Sequence, residues 1–152
     1  MKDFRVTPIR NGTVIDHIEC GMALNVLKII GVKGPEVHST VSILMHVTSK
    51  KGGWKDVVKV EDRELDPHEV DKISLISPQA TINIIRDFNV AEKYQLELPE
   101  VVRGIVRCGN PSCITNTNEP VEPEFTMECK NPPVLRCIYC DRILDNIADH
   151  LV

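Results

Sequence analysis

Hydrophobic and polar positions divide the N-terminal two thirds of the chain into alternating strands and helices. The segment Gly12–Ile18 is rich in β-branched residues, which predicts a strand. Residues 22–30 repeat apolar side chains at spacings of three and four, which predicts a helix. A long strand is predicted over residues 37–47 and its antiparallel partner over residues 54–60, with a glycine-containing hairpin between them.

The second helix has a well-marked start. Asp66 can cap it, Pro67 suits the first helical position, and Glu69 completes a capping box. Pro78 ends this helix, and a strand is predicted over residues 81–85, followed by a possible edge strand over residues 90–94. The order βαββαβ predicts a ferredoxin-like arrangement, with an antiparallel sheet and both helices on one face. Such a sheet leaves a face or an edge free, so we expect a homodimer.

The pattern lapses after the last predicted strand and the composition changes. We therefore expect an α+β protein in which an N-terminal domain, residues 1–96, is joined by a linker, residues 97–103, to a small all-β domain, residues 104–152.

Four cysteines of the C-terminal segment form two closely spaced pairs. Four residues separate Cys108 from Cys113, two separate Cys137 from Cys140, and 23 lie between the pairs. Short turns of this kind let two thiolates bind one ion, and zinc takes four ligands in a tetrahedron. The spacing therefore predicts a zinc ribbon with one structural zinc ion.

Two other interpretations of the cysteines remain open. Disulfides or unrelated thiols are disfavoured by the pair spacing and by a reducing compartment, and iron would fit the same sulfur ligands. Because protein fills all four positions, the predicted site is structural and has no room for water or substrate. We interpret Cys20 and Cys129 as small, partly buried thiols outside the site.

Composition narrows the classes of function. No segment approaches the roughly 18 apolar residues of a membrane span, and residues 1–4 lack the apolar core of a secretory signal, so we expect a cytoplasmic protein without a membrane partner. The net charge is −4 and aromatic residues make up 4%. From residue 101 onward, the chain has five basic and seven acidic residues, and this excess of negative charge argues against a nucleic-acid-binding ribbon. No evident nucleophile partner is found for His38, His46, His68 or His150, so no catalytic residue is predicted.

Several polar residues of the N-terminal domain are candidates for anion binding. Lys55 and Lys59 are four apart on a strand and share a face, while His17 and Lys93 lie near the ends of other strands. Clustered ammonium groups near a histidine can hold phosphates by charge-assisted hydrogen bonds. The alternative is a set of solvated surface charges, and spacing alone does not decide between the two.

The segments 12–18 and 78–83, together with the cysteine pattern, make the chain recognisable over nearly its whole length. It resembles the regulatory chain of aspartate carbamoyltransferase. The resemblance implies a non-catalytic subunit of pyrimidine biosynthesis that dimerises through its N-terminal allosteric domain and binds a catalytic chain through its zinc domain. It also implies CTP, UTP and ATP as competing allosteric effectors.

By matching position, the resemblance assigns individual roles. Asp16 and Lys59 would meet the base and ribose, and His17 and Lys93 the phosphates. The walls of the pocket would be Val6, Ile9, Val14, Asn83, Ile85, Phe88 and Val90. Asn110, Asp141 and Arg142 would face the catalytic chain. The chain has Asp3 where the family pattern has a lysine that helps to hold a second nucleotide.

Overall fold

The computed structural model describes residues 9–31, 39–50 and 52–152. The first part of the chain forms the strands β1 to β5 and the helices α1 and α2. Their bounds are β1 Gly12–Ile18, α1 Ala23–Ile29, β2 Val41–Thr48, β3 Trp54–Glu61, α2 Pro67–Ile76, β4 Thr81–Arg86 and β5 Asn89–Gln95.

These strands form one antiparallel sheet in the order β2-β3-β1-β4-β5. The predicted βαββαβ order and the α+β fold class are thus confirmed, and β5 adds the expected edge strand. The long strand predicted over residues 37–47 begins at Val41 in the described residues and continues to Thr48, while residues 37 and 38 lie outside them.

Alternation along the strands decides which face of this sheet is buried. Ile15, Val58 and Ile82 point to the face covered by the helices, where they pack against Val26 and Ile73. The helices contribute matching apolar stripes, and α2 begins with the predicted capping box, since Asp66 accepts from the Glu69 amide and Glu69 from the Asp66 amide. Among the described residues, no helix packs on the opposite face of the sheet, which we call the open face.

The rest of the chain forms a second antiparallel sheet in the order β6-β7-β8-β9. Its strands are β6 Val101–Arg103, β7 Glu124–Lys130, β8 Pro133–Cys137 and β9 Ile143–Leu144. Short 3₁₀ turns cover Ile114–Asn116 and Ile147–His150. Strand β6 lies within the segment predicted as a linker: Val102 is 2% exposed and pairs with Phe125, so burial draws these residues into the second sheet.

The two sheets are connected by packing as well as by the chain. Leu75 of α2 is 2% exposed and belongs to the second core, beside Val106 and Ile147. Leu151 packs against both cores, and the Lys72 ammonium donates to the Val152 carbonyl at 2.6 Å. Within the described ranges, neither helix has the length and apolar character that a membrane crossing requires.

Candidate functional site

The four cysteines of the second sheet converge on one point. The Sγ atoms of Cys108 and Cys140 lie 3.6 Å apart, those of Cys113 and Cys137 lie 3.7 Å apart, and all four lie within 4.8 Å of one another. A Zn–S distance of about 2.3 Å places two sulfurs of a tetrahedron about 3.8 Å apart, whereas a disulfide requires about 2.05 Å. The arrangement fits a metal held by four thiolates. Cys20 and Cys129 lie outside this cluster, but the prediction that they are partly buried is wrong: both are exposed, Cys20 before α1 and Cys129 near the β7–β8 hairpin.

Two turns present these thiols and stabilise them as thiolates. The Asn110 amide donates to the Cys108 sulfur at 3.5 Å, and the Thr115 hydroxyl donates to the Cys113 sulfur at 3.2 Å. Such donors around the ligands are a common feature of metal sites, because they offset the charge of the sulfur atoms. Thr115 was missed by the sequence analysis, since a threonine two residues after a ligand carries no distinctive spacing signal.

The protein environment shifts the pKa values of Cys108 and Cys140 in opposite directions. Burial raises the pKa of the Cys108 thiol to about 12. Burial acts in the same direction on Cys140, but the Arg142 amide and the Asn110 side chain outweigh it and lower the pKa of Cys140 to about 7. A metal cation at this site would displace the Cys108 proton and stabilise the thiolate, which is the form that binds metal.

The open face of the first sheet carries most of the polar candidates. Val14 of β1 lies opposite Lys59 of β3 and Asn83 of β4, and Asn83 lies opposite Lys93 of β5. Residues directly opposite each other on neighbouring strands share a face, so these four form one row across the sheet. The Asn83 amide donates to the Val14 carbonyl at 3.2 Å, which orients its side chain along this row.

A second group of polar residues lies at the end of β1. The Lys55 ammonium is 2.8 Å from the Asp16 carboxylate, which also accepts from the His17 amide at 2.7 Å. Burial acts to raise the pKa of Asp16, but the Lys55 ammonium and the His17 amide outweigh it and hold the pKa below its ordinary value. The His17 ring lies 3.3 Å from the Thr81 hydroxyl. The structure thus brings both His17 and Lys55 into contact with Asp16.

The remaining candidates on this sheet differ in exposure. Ile9 and Ile85 are buried, whereas Phe88 and Val90 are 63% and 57% exposed. Ile85 pairs with Val90, so these two are neighbours across β4 and β5. Val6 and Asp3 lie outside the described residues.

One buried charge was missed by the sequence analysis. Asp56 is 0% exposed, and its carboxylate accepts from the amides of Gly21 at 2.9 Å, Ala23 at 3.1 Å and His46 at 2.9 Å. An aspartate between two lysine-bearing positions of a strand is normally taken as a surface residue. Only the alternation of β3, which turns Asp56 toward the helices, reveals its burial.

The surface beside the cysteines combines polar and apolar side chains. Asp141 and Arg142 are exposed, Asn110 is half-buried, and the exposed Ile138 and Tyr139 occupy the turn between two ligand cysteines. The Asp141 carboxylate lies 3.4 Å from the Arg136 guanidinium.

Comparison with known proteins connects both parts of the chain to one family. Residues 4–97 match the model of the aspartate carbamoyltransferase regulatory chain, allosteric domain, and residues 100–148 match that of its metal binding domain.

Relatives named aspartate carbamoyltransferase regulatory chain match along almost their full length. That of Methanothrix thermoacetophila is 59% identical over 99% of this chain and 98% of its own, and that of Methanocella arvoryzae is 54% identical over 99% and 97%. The relative from Thermofilum pendens is 56% identical over 97% of this chain and 94% of its own. The chain therefore belongs to the family of aspartate carbamoyltransferase regulatory chains, and it is a regulatory and not a catalytic subunit.

Proposed function

We propose that this chain binds nucleoside triphosphates on the open face of its first sheet and thereby controls a catalytic chain of aspartate carbamoyltransferase in pyrimidine biosynthesis. The observation that carries the proposal is the row formed by Lys59, Val14, Asn83 and Lys93, with His17 and Asp16 on the same strand as Val14. Two lysines flank an apolar residue and an amide there, a combination that suits a base and sugar bordered by phosphates.

The roles on this face follow from position and chemistry. Asp16 and Lys59 would meet the base and ribose, and His17 and Lys93 the phosphates. Ile9, Val14, Asn83, Ile85, Phe88 and Val90 would line the base, together with Val6. The exposed Phe88 and Val90 support this assignment, because packing a flat base against exposed apolar side chains removes their surface from water, which is favourable. CTP, UTP and ATP would compete for this one site.

We further propose that the metal is one zinc ion held by Cys108, Cys113, Cys137 and Cys140. The near-tetrahedral sulfur spacing supports four-coordinate thiolate binding. When bound, the ion supplies structure and charge neutralisation to a domain with a small core, and the protein thiolates leave it no open position for chemistry.

We propose two protein contacts. The catalytic chain would bind the surface beside the cysteines, because this surface combines apolar area with hydrogen-bonding groups. Its residues are Asn110, Ile138, Tyr139, Asp141 and Arg142.

A second copy of the regulatory chain would pair along β2. This strand lies at the edge of the first sheet, and it exposes Ile43 and Met45 by 38% and 45%. We place the complex in the cytoplasm, where a reducing environment keeps the four thiols available for metal, and we expect neither nucleic acid nor membrane as a partner. The proposed division of the chain remains an allosteric domain over residues 1–96 and a zinc domain over residues 104–152.

The test is nucleotide titration of the zinc-loaded chain, alone and assembled with its catalytic chain. We expect CTP, UTP and ATP to bind with mutual competition and to change the affinity of the catalytic sites for substrate, with reciprocal coupling of about 1 to 3 kcal/mol. Saturation of the catalytic sites without any change in nucleotide affinity would contradict the proposal.

A further inference from the structure

The dipeptide Lys55-Asp56 lies between two irregularities of the first sheet. The pairing of β1 with β3 shifts between Ile15 and Ile18, and the pairing of β2 with β3 shifts between Leu44 and Val47. After these shifts Ile18 lies opposite Asp56, and Val47 lies opposite Lys55. Both neighbours of β3 are therefore bulged at the same level of the sheet.

A left-handed residue occupies each bulge. His17 in β1 has φ 57° and His46 in β2 has φ 58°, values that are uncommon for residues other than glycine. The amide of His17 donates to Asp16, which the Lys55 ammonium holds at 2.8 Å, and the amide of His46 donates to Asp56 at 2.9 Å. Consecutive residues of β3 thus fix the two bulges.

The two side chains of the dipeptide point to opposite faces of the sheet. Lys55 reaches the open face, where Asp16 and His17 lie, whereas Asp56 reaches the helix face and binds the amides that begin α1. Beyond Asp56, the His46 ring stacks on Trp54 with ring centres 4.3 Å apart and planes at 13°.

We propose, resting on the nucleotide function above, that Lys55 and Asp56 are positioning residues which transmit occupancy of the open face to edge strand β2 and the start of α1. A triphosphate brings negative charge to the face where Lys55 holds Asp16, which changes the balance of that ion pair. Since Lys55 and Asp56 are adjacent on one extended backbone, a shift of one moves the other. The bulges allow the movement because the ladder of hydrogen bonds is already interrupted there.

The chain contains its own reporter of this link. Trp54 is the only tryptophan, and alternation along β3 turns it away from the open face, so a nucleotide on that face of the same chain does not touch it. A change at Trp54 on nucleotide binding therefore reports the bulge of β2.

The experiment uses the full zinc-loaded regulatory chain labelled with fluorotryptophan. Calorimetry measures ATP binding, and fluorine NMR measures the Trp54 resonance at saturating ATP. We expect ATP to shift the resonance in the unaltered chain and in the control Asp71→Asn, an exposed change on α2. Lys55→Met at saturation should lose at least about half of the shift, and Lys55→Arg should restore it because the guanidinium keeps the ion pair with Asp16. Asp56→Asn should also lose the shift of the Trp54 resonance. If Asp56→Asn does not fold, because Asp56 is buried, the result for Lys55→Met alone tests the positioning role.

The outcomes separate the two proposals. ATP binding with an unchanged Trp54 resonance, or a full shift in Lys55→Met, overturns the positioning role and leaves nucleotide binding intact. Absence of ATP binding by calorimetry overturns the proposed function and the link together.

Discussion

The sulfur atoms of Cys113 and Cys137 lie 3.7 Å apart although 24 positions separate them in the chain. Both side chains are at most 2% exposed, so neither thiol meets bulk water. Two thiolates at this distance repel each other unless a cation lies between them, and the second sheet is therefore expected to depend on a bound metal.

Substitution Cys137→Ser should release the metal and unfold the second sheet. Structural zinc contributes on the order of 10 kcal/mol in small zinc domains, which exceeds what this small core supplies. Metal content by elemental analysis and co-purification with the catalytic chain measure the effect. Cys129→Ser is the matched control, because Cys129 is exposed and lies outside the cluster, and it should leave both unchanged. A folded, metal-free Cys137→Ser that still binds the catalytic chain would refute the structural role.

Substitution Thr115→Val should weaken the metal site without abolishing it. The change removes the hydroxyl that donates to the Cys113 sulfur at 3.2 Å and keeps the shape of the side chain. Loss of such a donor typically lowers metal affinity by about 10-fold or more. Competition with a chromophoric chelator measures the affinity, and Thr126→Val, an exposed position on β7, should match the unaltered chain.

Substitutions Lys59→Met and Lys93→Met should each weaken nucleoside triphosphate binding. Each removes an ammonium from the open face, and one charge-assisted hydrogen bond corresponds to about 10-fold or more in affinity. Titration calorimetry at two salt concentrations should also show a smaller salt dependence in both variants. Lys28→Met on α1 removes the same charge from the helix-covered side and should bind nucleotide normally. If all three variants bind nucleotide as tightly as the unaltered chain, the open face is not the binding site.

Substitution Leu75→Ala should loosen the junction of the two sheets. Leu75 is 2% exposed and extends from α2 into the second core, so truncation leaves a cavity that costs about 2 to 5 kcal/mol of unfolding free energy. We expect nucleotide and zinc binding to survive while nucleotide control of the catalytic chain declines. Leu24→Ala, at a position 56% exposed on α1, should change neither stability nor control.

Acid should remove the contribution of Asp16 to stability. The folded pKa of Asp16 lies below its ordinary value of 3.8, so between the two values the unfolded chain binds more protons and stability falls as the pH falls. Asp16 makes its full contribution to stability at pH values above its ordinary pKa, and this contribution is lost below its pKa in the folded chain. The free energy of unfolding of Asp16→Asn should therefore fall less on acidification than that of the unaltered chain. The difference should be less than about 1 kcal/mol, because the Asp16–Lys55 pair is partly exposed. Asp71→Asn should reproduce the unaltered curve, and an equally steep curve in Asp16→Asn would exclude the pair as its cause.

The sequence by itself determined the order of elements and the family. Hydrophobic period predicted β1, both helices and the hairpin, because a face that must be buried imposes its own spacing on the chain. The capping residues Asp66 and Glu69 marked the start of α2, since a helix start is a local event. The two cysteine pairs predicted a shared site, because a short turn fixes the distance between its own two ligands.

Only the tertiary structure decided which residues meet across the chain. The partnership of Asp16 with Lys55, the burial of Asp56 under α1, and the place of Leu75 in the second core all join segments distant in sequence. Strand β6 likewise formed where a linker was predicted. Its partner β7 begins more than twenty positions later, so no local pattern around residues 101–103 indicates the pairing. Local spacing holds no information on such pairings, since they are set by strand register and by the packing of one layer on another.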